Sequence, residues 1–154
     1  MLEGKFGRAS GAPYIEAHVS FPRLRLRGFI SFLIDTGADG TVLMPTDSGK
    51  LGVDFRLLTN PTASQGIGGI ARGYHETAVV SFSGRRYIYS YAIQIEISAL
   101  LADNSRLPSL LGRDILGRWR LVVDRPDNEI RCLPKIWDVR SRMRNMTGVR
   151  NLRP

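Results

Sequence analysis

The sequence predicts an all-β fold, and three observations carry that prediction. From Ile15 to Phe21 apolar and polar residues alternate strictly, Ile15, Ala17, Val19 and Phe21 against Glu16, His18 and Ser20, the period of a strand with one buried face. A longer run, 86–97, sets Tyr87, Tyr89, Tyr91, Ile93, Ile95 and Ile97 on a single face. Helix signals, by contrast, are confined to two short stretches and the C-terminal tail. At 154 residues, with 43% hydrophobic and 23% charged residues, the chain has the size and composition of one folded domain.

The remaining elements follow in chain order. Leu24 and Leu26 alternate with Arg23, Arg25 and Arg27 before a denser block, Phe29-Ile30-Ser31-Phe32-Leu33-Ile34. Such a block is expected of a strand covered on both faces. Val42 and Leu43 resume the β pattern, and 45–51 can form a short helix ended by Gly52. Thr59-Asn60-Pro61-Thr62 is turn-rich, and Tyr74 through Phe82 is β-forming. A second helical turn fits 112–118. Strands at 119–123 and 129–133 then flank Arg125-Pro126-Asp127-Asn128, a turn by composition.

Beyond a domain spanning 1–134 lies a basic tail, 135–154, where Ile136, Val139, Met143 and Met146 recur at near-heptad spacing before Gly148. That spacing fits a short helix packed on its own domain, a disordered tail, or a helix that docks on a partner or membrane. Net charge is +8, and the tail carries much of it: Lys135, Arg140, Arg142, Arg144, Arg150 and Arg153 against Asp138. The body is nearly balanced, so neither nucleic acid nor a membrane is the expected partner. One cysteine, Cys132, and two histidines, His18 and His75, exclude an internal disulfide and a cysteine- or histidine-rich metal cluster. No apolar run reaches the roughly 18–20 residues of a membrane span, and residues 1–5 lack the apolar core of a signal peptide. The expected setting is cytoplasmic, or a soluble domain of a longer protein.

Chemistry concentrates in three segments. The first is Ile34-Asp35-Thr36-Gly37-Ala38-Asp39. A carboxylate emerging from an apolar strand is costly to desolvate unless donors compensate; Gly37 allows a turn tight enough to aim backbone N–H groups at Asp35, and Thr36 can lock that turn. Alone, the segment is equally an ordinary Asx turn. The second is Gly66-Ile67-Gly68-Gly69-Ile70, which fits the crown of a hairpin with an apolar tip able to close over a ligand. With Ala71 it formally matches a dinucleotide pattern. That pattern needs a helix after it, whereas a strand-like run follows here, so nucleotide binding is set aside. The third is Leu110-Leu111-Gly112-Arg113-Asp114-Ile115-Leu116, again an apolar run into a glycine turn, with an arginine placed to pair with a carboxylate.

In this order the three segments resemble the retropepsins, the single-domain aspartic proteases of retroviral type, and the Asp114 variant of the third segment resembles bacterial members. The resemblance spans roughly 12–133. It implies a closed acid-protease β-barrel with a glycine-rich flap hairpin and one short helix near the C-terminal end. It further implies an aspartic endopeptidase that needs no cofactor or metal and whose partners are a second copy of itself and a peptide or protein substrate. Only one Asp-Thr-Gly is present, so the catalytic pair would be Asp35 from each protomer of a symmetric homodimer.

By position, Thr36 would tie the two active-site turns together and Gly37 would bond the substrate backbone. Asp39 would anchor the peptide and pair with Arg113. Gly66, Ile67, Gly68, Gly69 and Ile70 would cover the substrate. Ile67, Ile70, Leu33, Val42 and Ile115 are candidates for apolar subsites, although core packing explains the last three as well. Ala38 stands where pepsin-like relatives often carry a hydroxyl, so activity is expected to reach from mildly acidic to near-neutral pH. Retroviral relatives also join protomers through both chain ends, and about twenty residues follow the last expected strand here. The competing reading is a non-enzymatic peptide-binding or dimerisation module on the same fold.

Overall fold

In the computed structural model the described residues are 1–66, 69–101 and 104–143. Their strands are β1 (Leu2–Glu3), β2 (Lys5–Phe6), β3 (Pro13–Phe21), β4 (Leu26–Ile34), β5 (Val42–Leu43), β6 (Pro61–Gly66), β7 (Gly69–Ser83), β8 (Tyr87–Ser98), β9 (Leu110–Leu111), β10 (Trp119–Asp124), β11 (Glu129–Pro134) and β12 (Val139–Arg142). Two short helices, α1 (Pro45–Leu51) and α2 (Arg113–Leu116), and a 3-10 turn at Phe55–Leu57 complete the order. The fold is all-β, as the alternation predicts.

Most strands join one large sheet. β8 pairs with β5, β5 with β9, β9 with β4, β4 with β3, β3 with β7, and β7 again with β8, so the pairings return to their start. β6 forms a hairpin with the first half of β7, from Pro61↔Tyr74 to Gly66↔Gly69. A separate small sheet runs β1-β11-β10.

The alternating faces meet inside. Val19, Phe21, Phe32, Val80, Tyr91, Ile95 and Ile97 are fully buried, each worth about 1.5–3 kcal/mol relative to exposure. Phe82 stands edge-on to Trp119, with ring centroids 4.8 Å apart. The Trp119 indole N–H donates to the Tyr91 hydroxyl at 2.7 Å, so both polar groups are satisfied where the rings are buried.

Four details depart from the sequence reading. Arg23–Arg25, read as part of an alternating strand, lies instead in the turn from β3 to β4, with Arg25 at φ 55°. The turn-rich Pro61-Thr62 opens β6, because β7 supplies backbone partners. β1 and β2 carry no alternation long enough to read, yet Leu2 is 1% exposed and pairs opposite Cys132. The near-heptad spacing of the tail does not make a helix at Val139–Arg142. That segment lies antiparallel on β8, Val139 opposite Ser90 and Arg142 opposite Tyr87. Trp137 packs edge-on to Tyr89, and Arg140 lies 4.7 Å from the ring centroids of both Tyr87 and Trp137. The open backbone edge of β8 and its tyrosine face outweigh a weak local helix pattern. Met146 and Gly148 lie outside the described residues.

Candidate active site

The site is built where β4 ends. β4 runs parallel to β9, Leu33 beside Leu110 and Ile34 beside Leu111, and the Asp35 N–H extends the ladder by donating to the Leu111 carbonyl at 3.1 Å. The half-buried Asp35 is thereby fixed at the backbone. Its Oδ1 accepts the Gly37 N–H at 2.8 Å, and a Cβ on Gly37 would crowd that oxygen at 3.1 Å. Ala38 N–H closes the turn onto the Asp35 carbonyl at 3.3 Å. Thr36 is exposed at the turn's tip, and its carbonyl accepts from Arg113 Nη1 at 2.9 Å.

A second turn supports the first from beneath. Gly112 lies so close to Gly40 that an added Cβ would fall 2.3 Å from the Gly40 carbonyl carbon. Arg113 N–H donates to the Ala38 carbonyl at 2.9 Å and Asp114 N–H to the Asp39 carbonyl at 3.2 Å. The Asp114 carboxylate accepts from Thr41 N–H at 3.0 Å, from the Thr41 hydroxyl at 2.8 Å and from Ile115 N–H at 2.9 Å. Arg113 Nη2 also pairs with Asp39, whose side chain is 94% exposed, so the pair orients more than it stabilises. Behind the turns, buried Ser109 accepts the Met44 N–H at 2.9 Å and donates to Asp47 at 2.7 Å, locking the start of α1.

Above Asp35 opens a groove of ≈ 670 Å³. Asp35, Gly37, Ala38, Asp39 and Gly40 line it from the turn, Gln65, Gly69, Ile70 and Ala71 from the β6–β7 hairpin, and Thr41, Val42, Glu96, Leu101 and Leu110 from the walls. Ile70 is 70% exposed. Ile67 and Gly68 lie outside the described residues, while Gly66 and Gly69 form the last hairpin pair before them. Of the residues considered for apolar subsites, Val42 and Ile70 face the groove. Ile115 is 0% exposed and belongs to the core, and Leu33 sits in the β4 ladder.

Thr41, Asp114, Glu96 and Leu101 were not singled out from the sequence as site residues. A local signal existed for the first pair, since Thr41 follows Gly40 and Asp114 lies two residues after Gly112, the glycines at which two backbones touch. Their partnership spans 73 positions, which no local pattern reports. Cys132 is fully buried between Leu2 and Leu121, and burial pushes its thiol up to about 12. Among the described residues no three His, Cys, Asp or Glu side chains gather as a metal site, and no helix is long and apolar enough to cross a membrane.

The all-β fold that carries the Asp35 turn and the groove above it has counterparts among solved structures. The chain is similar to a retropepsin-like aspartic protease from Rickettsia conorii, with a TM-score of 0.58 and 23% identity over 84% of this chain and 95% of that one. A looser likeness joins it to EIAV protease complexed with the inhibitor HBY-793, with a TM-score of 0.49 and 21% identity over 72% and 90% of the two chains. No family model matches the chain, and no curated protein matches it by sequence. Its fold is retropepsin-like.

Proposed function

We propose that the chain is one protomer of a homodimeric aspartic endopeptidase. The observation that carries this reading is the placement of Asp35, backbone-locked by β9, bonded by the Gly37 N–H, and opening onto a groove that the β6–β7 hairpin borders. Nearby aspartates are poor candidates for a second catalytic carboxylate. Asp114 is committed to Thr41 and Ile115, and Asp39 to Arg113. A two-fold copy supplies the missing group as a second Asp35.

Two carboxylates at contact distance share one proton, because both cannot ionise cheaply side by side. The ionised member takes a proton from a water held between them as that water attacks the scissile carbonyl carbon. The protonated member donates to the carbonyl oxygen. Collapse of the tetrahedral intermediate breaks the C–N bond, with a proton passed to the leaving amine. Thr36, exposed at the tip of its turn, would meet its counterpart in the partner, and the hairpin would cover the peptide.

The test is to incubate the protein and Asp35→Asn with a diverse peptide mixture from mildly acidic to neutral pH and map the cuts by mass spectrometry. Cuts that vanish in Asp35→Asn, with specific activity rising with protein concentration, are the expected result. Cuts that survive the substitution overturn the reading, and a complete absence of cuts favours a peptide-binding module instead. Ala38 brings no hydroxyl to the turn, so the pH–rate profile should extend toward neutrality rather than peak at strongly acidic pH.

A further inference from the structure

We infer that Asn104 is a positioning residue for the groove, holding Leu101 as a fixed wall that selects among apolar substrate side chains. The inference rests on the proteolytic reading above. Leu101 lines the groove with Val42, Ile70 and Leu110 and is 48% exposed. It lies past the end of β8, outside the strands, and Asn104 takes the place of a ladder partner. The Leu101 N–H donates to Asn104 Oδ1 at 2.8 Å, and the Leu101 carbonyl accepts the Asn104 N–H at 3.4 Å. Both backbone groups of the wall residue are therefore held by one asparagine.

The other half of the amide ties this arrangement to the main sheet. Asn104 Nδ2 donates to the Ala99 carbonyl at 2.8 Å and to the Ser98 hydroxyl at 3.1 Å. Ser98, the last residue of β8, pairs opposite Gly73 on β7, and the Ala99 N–H donates to the Arg72 carbonyl at 2.9 Å. Leu101 is thus referenced to the end of β8 and to the stalk of the hairpin that borders the groove. Downstream, the Asn104 carbonyl accepts the Leu107 N–H at 3.2 Å, and the Thr46 hydroxyl on α1 donates to the Ser105 carbonyl. Asn104 is 8% exposed, a depth at which an unpaired amide is costly. Asparagine suits the position because one planar group carries an acceptor for Leu101 and two donors for the sheet. Ionised aspartate lacks the donors, and leucine lacks both.

Apolar attraction has no direction of its own and scales with the area covered. Selection among apolar side chains therefore needs a wall that keeps its place when a substrate presses on it. In this groove the place of one wall residue is set by hydrogen bonds rather than by core packing.

The experiment measures kcat/KM for cleaved peptides carrying leucine or alanine at a given position and takes the leucine-to-alanine ratio within each variant. The position whose ratio falls most in Leu101→Ala reports the wall. There the wild-type ratio should be about tenfold, the scale of a partly buried leucine side chain. Leu101→Ala and Asn104→Ala should each lower it to about threefold, and Ser98→Ala, which removes one acceptor of the amide, should lower it less. The decisive variant combines Leu101→Ala with Asn104→Ala. With no leucine left to position, the double variant should keep the ratio of Leu101→Ala alone.

A further drop in the double variant, a wild-type ratio in Asn104→Ala that circular dichroism shows to be folded, or a ratio that Leu101→Ala leaves unchanged at every position overturns the inference. Each of these leaves the protease reading intact. If Asn104→Ala does not fold, Ser98→Ala runs the same cycle with Leu101→Ala. Should no Asp35-dependent cutting occur, the same peptides are titrated against the full chain by fluorescence anisotropy. A leucine preference lowered by each single variant, and no further by the double, upholds the positioning role although proteolysis has failed; no preference, or an additive loss, overturns both.

Discussion

Around Gly112 a Cβ would sit 2.3 Å from the backbone of Gly40, in a stretch where both neighbouring turns are hydrogen-bonded to each other. Around Gly69, at the end of the β6–β7 hairpin, nothing lies within 4 Å of the same position, and it is the backbone, at φ +113°, that resists a side chain. Both glycines belong to segments that frame the groove. The first is glycine because two chains are pressed together, the second because one chain must bend in open space. The contrast separates a base that is part of the core from a border that is held mainly by its own strand pairing.

Gly112→Ala should break the comparison at its strongest point. The new methyl meets backbone rather than a flexible side chain, so the 38–41 turn must move, and an overpacked core site costs about 3 kcal/mol. Urea unfolding should show a lowered midpoint, and peptide hydrolysis should be lost along with the displaced Asp35 turn. Next in size is Asp114→Ala, which leaves the buried Thr41 N–H and hydroxyl without their acceptor. Losing hydrogen bonds to a charged group at this depth should cost about 2 kcal/mol, read in the same urea titration, with Asp114→Asn intermediate because it keeps one acceptor oxygen.

Gly69→Ala probes the other side. Forcing a side chain into that backbone region costs about 1 kcal/mol, and the cost falls on the hairpin alone. The global unfolding midpoint should stay where it is while kcat/KM for a peptide substrate drops roughly fivefold. A parallel loss of global stability would show that the hairpin is coupled to the core and erase the distinction.

The same distinction explains what the sequence discloses. Strands β3, β7 and β8 are legible because a period of two records a buried face along one continuous stretch. The Asp35 turn and the Gly112 turn are legible as segments, and their order makes the resemblance to retropepsins. The Thr41–Asp114 bonds and the placement of Glu96 beside Val42 are not, since each depends on strands distant in sequence coming to lie side by side. The tail shows the opposite failure. Ile136, Val139 and Met143 suggest a helix by spacing, yet Val139 and Met143 remain exposed, and the unfilled edge of β8 decides the conformation instead. β1 is hidden for a related reason: two residues carry no period, and Leu2 is buried by β11, whose sequence lies 130 positions away.

β1 and β11 also offer a reporter that belongs to neither side of the groove. Cys132 is buried beneath Leu2, so native labelling by a thiol reagent at neutral pH requires the small sheet to open. Labelling should accelerate in Gly112→Ala and stay at the wild-type rate in Gly69→Ala. A smaller effect follows from the thiol's own titration. Burial raises it from an ordinary 9.0 to about 12, so between those values the unfolded chain releases a proton that the folded chain retains. Its contribution is fully present below pH 9 and is lost as pH rises toward 12. At pH 9.5 the loss amounts to less than about 1 kcal/mol. Comparing urea midpoints at pH 8 and pH 9.5 should reveal a decline that Cys132→Ala shallows, and an equally steep decline in that variant would place the alkaline sensitivity elsewhere, with Tyr91, whose phenol is also raised by burial, the next group to replace.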